Sequence, residues 1–552
     1  MLRINELKLP LDHSDDDLLD EIVNKLDIVR DKLVDFTIFK RSYDARKKSN
    51  ILLIYQLDVT LTEDAEKTVL EKFTKQSFIR PSPDTSYHFV AAAPGDFPTS
   101  EQQRPIIIGF GPSGILAALV LAQIGLKPIV LERGKNVRQR TQDTWELWRQ
   151  GKLNTESNVQ FGEGGAGTFS DGKLFSQVKD KRYLGRKVLN EFVKAGAPKE
   201  ILFVSKPHIG TFKLVKMVQN MRADIIRLGG EIRFESKVDL IHRKIDTRST
   251  DAEGNGQITA LTLSTGEVLH TRHIILGIGH SARDTFDMLL AQGVYIEAKP
   301  FSIGFRIEHP QSVIDQARFG KQAGHPILGA ADYKLVHHCK NGRSVYSFCM
   351  CPGGTVVAAT SEKGHLVTNG MSQYSRHERN ANAAIVVGID PEKDYPEHVF
   401  AGIDLQHKLE KLAFDLGGKN YHAPAQLVGD FLQNKPSTDL ASVIPSYQPG
   451  ISLGDLSKAL PAFAIDAIRE AIPVFDKKIK GFAMADAVLT GVETRTSSPI
   501  CIKRGKDFQS INTRGLYPTG EGAGYAGGIL SSAIDGIKVA EALAIGILKE
   551  SP

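Results

Sequence analysis

The chain has little cysteine, four residues in 552, and little tryptophan, two residues. So few cysteines exclude a scaffold built on disulfides and fit a reducing compartment. It also lacks an excess of charge of either sign. Sixty-nine basic side chains stand against 64 acidic ones, a net charge of +5, too slight for a dedicated nucleic-acid binder. The N-terminus, MLRINELKLPLDHSDDD, has no basic segment leading into an apolar run, so no secretory signal is read there. Residues 105–131 carry one charge, Lys127, and are long enough to span a bilayer. Gly109, Gly111, Pro112, Gly114, Gly125 and Pro128 nevertheless cut that stretch into strand, turn, helix, turn and strand. The expectation is a cytoplasmic protein with no membrane segment. What the chain has in surplus is glycine: fifty residues, against a usual share of about 7%.

The length calls for two or three domains. In residues 1–95, β-type alternation at 3–9, 34–43 and 51–59 and a strand-like run at 77–90 interleave with helical spacing at 15–26 and 63–73. This βαββαβ order predicts a ferredoxin-like α+β domain. Its hairpin collects Arg41, Arg46, Lys47 and Lys48, either a solvated turn or a docking point for an acidic partner. Residues 91–104 read as a linker. A Rossmann-like α/β domain with a parallel sheet is expected over 96–298 plus 483–552. An α+β substrate domain is expected to be inserted at 299–482.

The chemistry is concentrated in glycine motifs. Gly109-Phe-Gly111-Pro112-Ser113-Gly114 follows an apolar strand and opens a helix of small residues, and an acid, Glu132, ends the next strand. That is the context a dinucleotide site requires. Gly109 permits the tight turn, Gly111 lets backbone approach a pyrophosphate, and Gly114 lets helix pack on strand. The helix N-terminus faces the phosphate charge, and Glu132 would hold the ribose hydroxyls. No second such motif follows, and two further clusters favour a flavin. Residues 162–173 include Gly164, Gly165 and Ser170, where bare amides can lie along a diphosphate and flavin edge. Residues 516–529 include Gly520, Glu521, Gly528 and Ile529 before a long helix. There Glu521 could bind the ribityl chain, and the helix dipole could stabilise reduced flavin.

The pieces GFGPSG, FGEGGAGTFSDGKL, CPGG, VETRTSSP and YPTGEGAGYAGGILSSAIDG together resemble a bacterial group of uncharacterised FAD-dependent dehydrogenases among the glutathione-reductase-type flavoproteins. The resemblance runs from about residue 100 to the C-terminus. It implies FAD pyrophosphate at Gly109, Gly111, Ser113 and Gly114, flanked by Pro112 and Arg133, with ribose at Glu132. It places adenine beside the backbone of Val238, at the end of a strand running from Glu231, and a turn near the cofactor around Gly279. Glu521 stands where many relatives have aspartate.

The implied function is an FAD-dependent oxidoreductase of dehydrogenase or reductase type, with non-covalent FAD and an unknown small-molecule substrate. NAD(P)H would be at most a transient electron donor, for want of a second dinucleotide fold. A flavin-dependent monooxygenase and an RNA-modifying or RNA-binding flavoprotein are the alternatives, although the N-terminal unit lacks the aromatic signature of an RNA-recognition strand. Nucleic acid is not the expected partner, and the oligomeric state is open. Glu493 and Arg495 in ETRTSSP are candidates for proton transfer and carboxylate binding, or else an internal ion pair. Cys349-Met-Cys351 is either a redox dithiol or two structural cysteines. No metal site is expected: His337, His338 and Cys339 have no zinc-type spacing.

Overall fold

Alternation at the N-terminus becomes the strand Leu2–Pro10, but with a slip. Its register against Leu52–Leu61 shifts between Ile4 and Leu7, where Glu6 has φ 58°. The extra residue moves the buried set from Leu2 and Ile4 to Leu7 and Leu9 without turning the strand over. The helix Asp15–Leu26 starts in a capping box between Ser14 and Asp17 and buries Leu18, Ile22 and Leu26 on one face. With Leu33–Asp44, Leu52–Leu61, Ile79–Pro81 and the helix Glu63–Lys72 it completes a βαββαβ unit, whose four strands are all paired antiparallel.

The computed structural model describes residues 1–100, 103–176, 178–245 and 256–550; residues 101 and 102 of the expected linker lie outside these. The strand expected at 77–90 is confined to Ile79–Pro81. Pro81 and Pro83 remove ladder donors, and the chain then leaves the sheet so that Tyr87 can donate to Glu541 at 3.0 Å. The basic hairpin is not solvated throughout. Arg41 exchanges backbone hydrogen bonds with Phe203 and Ser205, while Arg46 is held by Asp44.

The central sheet is parallel, in the order Leu516–Pro518, Ile274–Leu276, Ile106–Ile108, Ile129–Leu131, Glu231–Arg233. The four strands other than Glu231–Arg233 are apolar and buried because both faces are covered. The helices Pro112–Ile124 and Ile529–Glu550 pack together over one face, where a Cβ at Gly536 would lie 2.2 Å from Ser113 O. The α/β class with a parallel sheet is borne out. Residues 105–131 are strand, helix and strand, and no helix among the described residues is long and apolar enough to cross a membrane. Residues 267–275 divide between two sheets: Val268–His270 pairs with Gly256–Leu263, whereas Ile274–Leu276 joins the parallel sheet.

A larger sheet takes up the following segment, in the order Val336–His338, Ser344–Cys351, Asn380–Ile389, Phe301–Pro310, Val488–Glu493, Ala423–Leu427, Ile451–Leu453. Phe301–Pro310 and Asn380–Ile389 are buried almost throughout because helices such as Ala462–Lys478 cover the sheet. The expected boundary at 482 does not coincide with the end of this sheet. Val488–Glu493 pairs on both sides within it, so the chain leaves it at Glu493.

Candidate functional site

The C-terminal ends of the parallel strands open on a cavity of about 530 Å³, whose opposite wall is Ser347–Met350 and Glu493 of the large sheet. Strand ends of an open α/β sheet are where such folds bind ligands, and this volume is within the usual range. Two of the motif glycines answer to packing. Gly109 has φ 96° and its Cβ would lie 2.4 Å from Gly277 O, while a Cβ on Gly114 would lie 2.0 Å from Gly109 O. Gly111 is different. Its φ is −81°, and the nearest atom to its Cβ would be Gly165 Cα at 3.6 Å, an ordinary contact. Nothing in the chain demands a glycine there. The space beside it belongs to the cavity, at the N-terminus of Pro112–Ile124, which has no side-chain cap to satisfy its free amides. Gly279 and Gly528 likewise border the cavity, with nothing closer than 3.8 Å to a Cβ. Bare backbone and free helix amides suit a diphosphate, so the residues present fit an FAD.

Of the residues expected to touch the cofactor, Gly109, Gly111, Pro112, Ser113, Glu132, Arg133, Gly165, Ser170, Val238, Gly279, Glu521, Gly528 and Ile529 line this cavity. Gly114, Gly164 and Gly520 do not; the latter two are pressed against Thr168 and Ser113. Glu132 does more than the ribose role assigned to it. Its carboxylate accepts from the amides of Phe110, Gly134 and Gly162 at 2.8–2.9 Å, tying three turns together. Arg133 is committed to Glu156 and Asp284. Val238 does not end the strand from Glu231; that strand stops at Arg233, and Val238 opens Val238–Ile245. Ser170 donates to Gly167 O and accepts from the Gly172 amide, shaping its own turn.

The candidates for catalysis separate. Arg495 reaches the cavity wall, but its guanidinium is spent on Glu410, Glu362, Ser281 and Ser361. It is a buried ion-pair anchor, not a free clamp, and its partner is not Glu493. Glu493 faces Arg306, with Nη1 to Oε2 at 3.6 Å, and that Oε2 has no hydrogen-bond partner. Burial pushes its carboxyl up to about 8, opposed by Arg306 and assisted by Cys349, so it is protonated at neutral pH. Glu521 is raised to about 7, mainly by burial. Cys349 lines the cavity and adjoins Cys351. The neighbouring Cys351 first, and then Lys173 in the wall, lower the Cys349 thiol against the effect of its burial.

Three residues of the site were not anticipated. Arg140, wholly buried, donates to the carbonyls of Asn158, Val159, Gly162 and Glu163 and so holds the second glycine segment in place. Arg306 lies at the midpoint of a strand that otherwise reads as core. His280 borders the cavity, and burial lowers its imidazole to about 3. Only His280 had a sequence signal, its place in the turn that follows Ile274–Leu276. Of the histidines set aside, His337 bonds Glu470 at 3.0 Å, with the Cys339 thiol close by donating to Ala467 O.

Residues 300–496 match the family described as FAD-dependent protein, C-terminal domain-like, and residues 1–60 match a domain of unknown function (DUF8436). An uncharacterised protein of Clostridium beijerinckii is 47% identical over 543 residues, 98% of each chain. The chain belongs to its family. Among solved structures, an L-amino acid deaminase from Proteus vulgaris is 11% identical, covering 84% of this chain and 97% of its own, with a TM-score of 0.33. A glycine oxidase from Geobacillus kaustophilus is 10% identical, covering 80% and 94%, with a TM-score of 0.34. Neither likeness is close enough to bear on chemistry. The family matched over 300–496 supports FAD as the cofactor.

Proposed function

We propose that this protein is an oxidoreductase of dehydrogenase or reductase type that holds FAD non-covalently and acts on a small molecule in the chamber between its two main sheets. The observation that carries the reading is Gly111: a glycine required by no packing or torsional constraint, bordering the cavity where free helix amides end. Bound FAD would supply reversible two-electron storage. Gly109, Gly111, Ser113 and Gly165 would take the pyrophosphate, and Glu132 retains lone pairs for a ribose hydroxyl beside the three amides it accepts. Glu521 borders the cavity from the C-terminal motif. On the opposite wall, the buried Glu493 beside Arg306 holds a proton, as a general acid requires. Electrons arrive from the substrate or from a visiting NAD(P)H.

The test is Gly111→Val. A branched side chain there fills cavity space and leaves the packing of the chain unaltered, so the variant folds and purifies without the absorbance of bound flavin. A variant that purifies as yellow as the parent overturns the cofactor placement. Anaerobic titration of the parent with NADH and NADPH, followed by bleaching of the flavin band, decides the donor.

A further inference from the structure

The strand Ser344–Cys351 keeps register with Asn380–Ile389 from Val345↔Val387 to Phe348↔Ala384, then slips before Cys351↔Asn382. Cys349 stands in this bulge with φ 41°, a conformation that side chains other than glycine rarely adopt. A bulge re-aims a side chain, and strain held in a cavity wall is found where a position has a function. Here Cys349 borders the cavity while Cys351 is wholly buried behind it. The Cys351 thiol donates to Cys349 O at 3.3 Å, and Arg306 Nη2 donates to the same carbonyl at 3.1 Å, with Cys351 Sγ 3.8 Å away. The adjoining Cys351 side chain, then Lys173 and Arg306, lower Cys349 despite its burial, and the Cys349 side chain and burial raise Cys351. One accessible thiolate and one buried thiol within reach is the arrangement of an attacking and a resolving cysteine. Cys339 and Cys501 have no such partner: Cys339 donates to Ala467 O, and Cys501 lies beside Tyr525.

We propose that Cys349 and Cys351 are a thiol–disulfide exchange pair opening on the cofactor cavity, with Cys349 attacking and Cys351 resolving, and that their substrate is a low-molecular-weight disulfide. Cys349 thiolate attacks one sulfur of R–S–S–R, a Cys349–S–S–R bond forms and R–S⁻ leaves. Cys351 then loses its proton to the departing thiolate and attacks Cys349 Sγ, expelling the second R–S⁻, which takes up a proton from water. The protein dithiol is oxidised to a disulfide and R–S–S–R is reduced to two R–SH. Two electrons and two protons would restore the dithiol; an FAD held by the glycine motifs would supply them when reduced, and in this the proposal rests on the function proposed above. The neutral Glu493 beside Arg306 leaves that guanidinium's charge to the thiolate.

The experiment uses the full chain as purified, with bound flavin read by absorbance and 2-hydroxyethyl disulfide as the probe. Remaining thiols are blocked with iodoacetamide, and intact protein and the peptide containing both cysteines are weighed. The parent should lose two alkylatable thiols and two hydrogens, with no adduct. Cys351→Ser should trap one 2-mercaptoethanol adduct, on Cys349, and Cys349→Ser should form neither adduct nor disulfide. No thiol pair lost by the parent, or no adduct in Cys351→Ser at flavin content equal to the parent's, overturns the proposal. A chain that purifies without flavin yet forms the disulfide upholds the pair and overturns the cofactor reading instead.

Discussion

Glu493 offers a perturbation whose size follows from its surroundings. Its carboxyl is 3% exposed, lacks a hydrogen bond on Oε2 and is raised by burial from 4.5 to about 8. In the unfolded chain it ionises near 4.5. Between that pH and about 8 the folded state therefore binds a proton that the unfolded state has released, and stability falls as pH rises. At about 1.4 kcal/mol per unit the loss across the window has a ceiling of ~5 kcal/mol. Glu493→Gln keeps shape and polarity and removes the titration. The neighbouring Cys349 titrates in the opposite sense, since a lowered thiol adds stability as pH rises, but it is common to both chains of the comparison and drops out of their difference. Denaturant midpoints of the parent and of Glu493→Gln, taken from pH 5 to pH 8.5, should diverge steadily, the glutamine variant gaining on its parent. Above pH 8, where folded and unfolded states are both ionised, the divergence should stop. A pH-independent difference between the two would show that Glu493 is ionised in the fold, and the general-acid role would go with it.

Arg495→Ala should be among the most damaging changes in the chain, since it leaves Glu410, fully buried, without its principal cation. Breaking one side of such a pair costs ~3–5 kcal/mol, read as a denaturant midpoint, and a loss below ~1 kcal/mol would contradict the geometry. Arg140→Met keeps the buried stem but orphans the carbonyls of Asn158, Val159 and Glu163, while Gly162 O keeps the Gly165 amide. At ~1 kcal/mol for each unpaired acceptor, stability should fall by ~3 kcal/mol, and FAD affinity by fluorescence titration should fall with it; unchanged affinity would detach that turn from the cofactor. Gly114→Ala should destabilise the fold itself, because its Cβ would meet Gly109 O at 2.0 Å, whereas Gly111→Val should cost flavin and little stability. Similar denaturant midpoints for the two variants would erase the distinction between a packing glycine and a ligand glycine.

That distinction marks how far the sequence could be read. Spacing and context located the strand, the turn and the helix at 106–124, and periodicity traced the βαββαβ order, because those properties depend on neighbours along the chain. Which glycine of GFGPSG yields to the backbone and which to a ligand depends on what crosses the space above it: Gly277 over Gly109, open cavity beside Gly111. Nothing in six residues records that. Glu132 was read through its motif as a ribose ligand, and its three amide partners come from turns at 110, 134 and 162 that periodicity cannot bring together. Arg495 and Glu493 lie two residues apart and look like one pair, yet the strand ends at Glu493, which faces Arg306, and the chain leaving the sheet carries Arg495 to Glu410. Arg306 itself was invisible because its strand is buried on every side, and an arginine in such a strand is exceptional only once its surroundings are known. A buried arginine is stable there only while an anion faces it. With Glu493 holding its proton, that anion is the thiolate of Cys349, so the charge balance of the cavity wall and its reactivity rest on the same three side chains.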